Sequence, residues 1–118
     1  MKDDRVYLLH IHDSLANIQE YTSSGREFFF KDRKTQDAVV RNLEIIGEAV
    51  KHISVSLTTS HPSIPWKQIA GMRDKLIHEY FGVDLNLVWD VVATGLPEFD
   101  RKISEILKTN NPSQAPGT

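Results

Sequence analysis

Between Val39 and Leu57, the apolar residues Val39, Leu43, Ile46, Val50, Ile53 and Leu57 recur in alternating steps of four and three. That spacing holds them on one side of a 3.6-residue helix; in a strand, where faces alternate every second residue, it would scatter them over both sides. A helix with one apolar seam must bury that seam against neighbouring elements, so this segment commits the chain to a packed helical core.

The flanking segments supply more helices. Asp3 or Asp4 can cap a first helix running to about Tyr21, with Leu8, Ile11, Leu15 and Ile18 as its buried stripe. Ser23-Ser24-Gly25 ends it. Ser24-Gly25-Arg26-Glu27 fits a capping box for a second helix opening at Phe28-Phe29-Phe30. Three consecutive aromatics also suit a strand, but the periodic segment behind them favours a helix. The segment from Thr58 to Pro65 reads as a loop, with Pro65 suited to the first turn of the next helix. Gly71 interrupts that helix and suggests a bend or a close backbone approach, and Gly82 closes it. Asp84 can cap a last helix carrying Leu85, Val88, Trp89, Val92, Leu96, Phe99, Ile103 and Ile106 along one side. Within it Pro97 lacks the donor that the residue-93 carbonyl needs, so a kink is expected near Gly95-Leu96-Pro97. The expected fold is all-α: a four-to-five-helix up-and-down bundle with a kinked last helix, forming one domain over residues 1–108. Residues 109–118, rich in Asn, Pro, Ser, Gln and Gly, read as a disordered tail.

Lys and Arg number 14 against 16 Asp and Glu, a formal charge of −2, so any nucleic-acid site must be a local basic patch. The chain has no cysteine, which excludes disulfides, thiolate zinc sites and cysteine nucleophiles. Met1-Lys2-Asp3-Asp4-Arg5 lacks a signal-peptide pattern, and no apolar run reaches the roughly 20 residues that span a bilayer, so a cytoplasmic protein is expected.

The chemistry concentrates in Arg73-Asp74-Lys75-Leu76-Ile77-His78-Glu79-Tyr80. On a helical wheel Arg73 shares a side with Ile69, Leu76, Ile77 and Tyr80, which places a charge that cannot deprotonate in an otherwise apolar stripe. Either an acid pairs with it or this face opens onto a cleft. RNA cleavage without a metal needs a base for the 2′-hydroxyl, an acid for the departing 5′-oxygen and a cation for the phosphorane. Histidine can move the proton near neutral pH, arginine can grip two phosphate oxygens, and Tyr80 adds a hydroxyl donor. Asp74 stands four residues before His78, the spacing at which a carboxylate can orient the ring. A regular helix separates Arg73 from His78 by about 140° of rotation and about 7.5 Å of rise, so convergence calls for distortion, arginine's reach, or a second subunit facing the first.

The run Gly71-Met72-Arg73-Asp74-Lys75-Leu76-Ile77-His78-Glu79-Tyr80-Phe81 resembles the HepT-like branch of the HEPN superfamily. So do Ala38-Val39-Val40-Arg41-Asn42-Leu43-Glu44-Ile45-Ile46-Gly47-Glu48-Ala49 and Ile64-Pro65-Trp66, and the likeness spans nearly the whole chain before the tail. It implies a helical, homodimeric, metal-independent ribonuclease toxin without a cofactor, partnered by a minimal nucleotidyltransferase antitoxin in a type VII-like pair. Arg73, His78 and Tyr80 match the Arg-x4-His-x-Tyr signature position by position. By that resemblance Arg73 and His78 are catalytic, and Tyr80 is the hydroxyl to which the antitoxin attaches AMP. The wider superfamily often has asparagine where this chain has Asp74, so no side-chain amide is available there.

Plainer readings stand beside these. Arg73 can be a structural arginine paired with Glu44 or Glu48, and Arg41, Glu44, Glu48 and Lys51 are better read as a solvated salt-bridge face than as an RNA surface. His10 and His12 lie two apart on a helix and point to nearly opposite sides, a poor basis for a metal site. The phenylalanine cluster fits core or interface better than base stacking. The rival function is a non-catalytic helical partner that presents a nucleotide or nucleic acid to a nucleotidyltransferase.

Overall fold

A computed structural model describes residues 3–77 and 84–109, with Arg73, Leu76 and Ile77 described at the backbone only. The described residues form seven α-helices and no strand: α1 (Asp4–Tyr21), α2 (Arg26–Lys31), α3 (Arg33–Lys51), α4 (Val55–Ser60), α5 (Trp66–Ile77), α6 (Leu85–Asp90) and α7 (Leu96–Thr109). A π-helical turn, Val91–Gly95, joins α6 to α7 into one continuous rod. The fold is therefore the all-α bundle expected, with α1, α3, α5 and the α6–α7 rod as its main members. α3 packs against both α1 and α5, and α1 also packs against α7.

Each helix starts where the chemistry of its first residues permits. Asp3 caps α1 by accepting from the Arg5 amide at 3.0 Å. Asp4 instead reaches across the fold, where its carboxylate accepts from the Ser54 amide at 2.9 Å and the Ser54 hydroxyl at 2.6 Å. Ser54 Oγ in turn accepts from the Leu57 amide and caps α4, so the starts of α1 and α4 are tied together. That cap explains one departure from expectation. The apolar seam does not lie on one helix, because α3 ends at Lys51 and Ser54 begins a new one. Ile53 stays buried in the connection and Leu57 packs half-buried from α4, so the apolar spacing persists across a break. Thr58 to Ser60, expected in the loop, complete α4.

A second departure concerns Ser24. Gly25 occupies the N-cap of α2 with φ 96°, and no side chain caps that helix. The left-handed turn at Gly25, a conformation glycine adopts without a Cβ penalty, leaves Ser24 outside the capping position. The aromatic cluster is helical, as favoured, and its members diverge. Phe29 is fully buried with its ring centroid 5.3 Å from that of Trp89, Phe30 lies under the Arg26 guanidinium at 4.5 Å, and Phe28 is 46% exposed. Asp32 then separates α2 from α3, accepting from the Thr35 amide at 3.1 Å and its hydroxyl at 2.6 Å.

The core is built from the stripes read in the sequence: Leu8, Ile11, Leu15 and Ile18 of α1 meet Val39, Leu43, Ile46 and Val50 of α3. Phe99, Ile103 and Ile106 of α7 join the same cluster. Asn42, buried between α1 and α3, accepts from Asn17 at 3.2 Å and donates to the Ala38 carbonyl at 2.8 Å. Among the described residues no buried side-chain nitrogen or oxygen lacks a partner.

α5 begins at Trp66, whose indole N–H donates to the His61 carbonyl at 3.0 Å, while the Pro65 carbonyl accepts from the Ile69 amide. α5 is unbroken through Gly71, where a Cβ would meet nothing within 4 Å. Among the described residues nothing makes the close approach expected there. Where a kink is expected near Pro97 the structure has a π turn just ahead of it: the Leu96 amide reaches back five residues to the Val91 carbonyl. Widening the ladder ahead of the proline accommodates a ring that cannot donate to residue 93. Asp84 caps α6 through the Asn86 and Leu87 amides at 3.0 and 3.2 Å. The Gly82 cap and most of the proposed tail, residues 110–118, lie outside the described residues.

Candidate active site

Arg73 stands in the C-terminal half of α5, the helix that packs along α3. Its side chain, together with His78 and Tyr80, lies outside the described residues. The surroundings of the motif can be built from α3 outward.

The nearest described charge is Asp74. Its Oδ1 is 3.5 Å from Lys51 Nζ, in the last turn of α3. Helical spacing alone places Asp74 beside His78 and Lys51 on the solvated face of α3; the structure joins these two across the α3–α5 interface. Lys51 lies at the edge of α3 nearest α5, with its side chain 39% exposed. The sequence gives no sign of this contact because it links residues 23 apart, and neither local helical spacing nor charge order sets the register between packed helices.

The rest of that face is the salt-bridge surface expected. Arg41 Nη1 lies 3.6 Å from Glu44 Oε1, and His52 Nε2 lies 3.4 Å from Glu48 Oε2. A feature not foreseen is that Tyr7 of α1 stacks on His52, with centroids 5.0 Å apart and planes 14° from parallel, while His10 meets the Tyr7 edge at 6.1 Å. His12 pairs instead with Asp13 at 3.7 Å. Among the described residues no group of three or more His, Cys, Asp or Glu is placed to hold a metal. No helix of the described residues is long and apolar enough to cross a membrane.

An open groove of roughly 840 Å³ runs between α5 and the α6–α7 rod, and Asp74 is among the residues that line it. Ile69 and Met72 form one wall, Leu87 and Phe99 the other, with Lys75 at the rim. Asp74 thus touches both the charged face of α3 and the groove beside α5.

The chain matches the family described as Ribonuclease HepT-like over residues 11–106, and it belongs to that family. Membership assigns it the activity class of a ribonuclease. It is 45% identical over 92% of its length to "Putative RNase TTE0752" of Caldanaerobacter subterraneus, covering 97% of that protein. It is 46% identical over 86% of its length to "Probable ribonuclease HepT" of Thermococcus cleftensis, covering 94% of it. It is also 43% identical over 91% of its length to "Putative RNase MJ0127" of Methanocaldococcus jannaschii, covering 89% of that one. No solved structure matches the chain.

Proposed function

We propose that this ribonuclease is a metal-independent endoribonuclease toxin, acting in the cytoplasm as a homodimer, and that a minimal nucleotidyltransferase antitoxin silences it by adenylylating Tyr80. The observation that carries the reading is the Arg-x4-His-x-Tyr motif of residues 73–80 in a chain that the ribonuclease family matches over residues 11–106.

In the proposed reaction the RNA 2′-oxygen attacks the adjacent phosphorus and the bond to the 5′-oxygen breaks, leaving a 2′,3′-cyclic phosphate and a 5′-hydroxyl. His78 moves the proton, taking it from the 2′-hydroxyl or delivering it to the 5′-oxygen; two copies facing across a two-fold axis supply one histidine for each transfer. Arg73 holds the non-bridging oxygens as negative charge builds on the phosphorane. Tyr80 donates a hydrogen bond to the same phosphate, and Asp74 supports the His78 ring. Control uses the same hydroxyl: the Tyr80 oxygen attacks the α-phosphorus of ATP, pyrophosphate leaves, and the attached AMP adds charge and bulk where RNA must sit.

The test is co-expression with the cognate nucleotidyltransferase followed by intact-mass measurement and peptide mapping. The reading predicts one or more adenylate additions on Tyr80 and relief of the growth arrest that the chain causes alone. A chain that is harmless alone and remains bare beside its partner would support the rival, a non-catalytic partner of the nucleotidyltransferase.

A further inference from the structure

We propose that Lys51 is a second phosphate-binding cation of the RNA site, held beside the motif by Asp74 until substrate arrives. The inference rests on the reading of the α5 end as the ribonuclease site and extends it to a residue on a different helix. Three observations carry it.

The first is position. Lys51 Nζ reaches Asp74 Oδ1, and Asp74 is the residue next to Arg73 in the chain. Lys51 therefore brings a positive charge from α3 to the turn of α5 that contains Arg73.

The second is the strength of the contact. At 3.5 Å it is longer than the roughly 2.7–2.9 Å of a tight charge-assisted hydrogen bond, and the two side chains are 39% and 49% exposed. An exposed pair at that separation contributes little to stability, so the ammonium can change partners at small cost.

The third is electrostatic need. A carboxylate adjacent to a phosphate-binding arginine repels the polyanion it must admit, and a chain with net charge −2 offers no long-range attraction to offset this. Lys51 offsets part of the Asp74 charge in the free protein. When a phosphate enters, its three donors can turn to that oxygen while remaining within reach of the carboxylate. In RNA binding Lys51 is thus an affinity residue rather than a proton-transfer group.

The experiment measures binding of the full-length protein to a fluorescent 2′-O-methyl RNA oligonucleotide, which cannot be cleaved, across a range of potassium chloride concentrations. Lys51→Ala and Lys51→Gln should each weaken binding roughly five- to tenfold and flatten the salt dependence by about 0.7 to 1 in log–log slope, the signature of one lost phosphate contact. Lys51→Arg should retain binding. Asp74→Asn should tighten it several-fold, because the competing carboxylate is gone. If the pair were only a tie between α3 and α5, Lys51→Gln and Asp74→Asn would weaken binding alike with the slope unchanged, and the proposal would be overturned. Thermal melts confirm that each variant is folded. Cleavage of unmodified RNA by the native chain separates the two levels: a chain that cleaves RNA but binds equally well as Lys51→Gln removes only the Lys51 assignment. A chain that neither binds nor cleaves removes both.

Discussion

Arginine and histidine do different work at a phosphodiester, and their variants should separate accordingly. Arg73→Ala removes a fixed donor pair from the developing charge, and loss of such a group lowers kcat by about 100- to 1,000-fold. Arg73→Lys should recover only part of that, since an ammonium keeps the charge but cannot present two parallel N–H groups. Single-turnover cleavage of a defined RNA checks both; equal activity of the Lys and Ala variants would show that the planar fork plays no part. The motif residues can be proposed from the sequence because side-chain chemistry is a property of the residue itself. The Lys51–Asp74 contact cannot, because the sequence does not state which turn of α3 lies beside which turn of α5.

For the helices, legibility follows how local the determining interaction is. The α1 stripe, the Asp84 cap and the irregularity ahead of Pro97, a π turn over Val91–Gly95, depend on residues within a turn or two, and the stripe and the cap are found where the spacing puts them. The split between α3 and α4 depends on Asp4 bonding Ser54 from fifty residues away, and the absent Ser24 cap on the turn that Gly25 takes. Three predictions belong here. Phe29→Ala should destabilise the fold by about 3–5 kcal/mol in denaturant titration, because it empties a fully buried site beside Trp89. Gly71→Ala should stabilise by up to about 1 kcal/mol, since the added methyl enters open space in an unbroken helix; a large loss would show that another chain packs there. Glu98→Gln tests the first turn of α7, where hydrogen bonds from Arg101 at 2.6 and 3.2 Å hold the Glu98 carboxyl below its ordinary pKa. A lowered folded-state pKa adds stability above the unfolded carboxylate range and loses it as pH falls. The variant should therefore melt below the native chain at neutral pH, and the two melting temperatures should converge as the pH falls below the ordinary carboxylate range.

As a whole, the molecule is a small bundle whose core is continuous across α1, α3 and α7, while α5 carries the motif along one flank. Because a regular helix holds Arg73 and His78 roughly 140° apart, one helix is insufficient and assembly is part of the proposed activity. Light scattering should give about twice the chain mass of 13.5 kDa, with activity lost on dilution below the dissociation range. A fully active monomer would require the site to close within one chain.

The most direct measurement is cleavage of RNA by the purified protein in excess chelator, with the native chain and His78→Ala compared under single turnover. If His78 moves the proton as proposed, the native chain leaves 2′,3′-cyclic phosphate ends and the variant is slower by about 100- to 10,000-fold, the range for loss of a general acid or base. Full activity in His78→Ala, or native activity that appears only when a metal is restored, would contradict it.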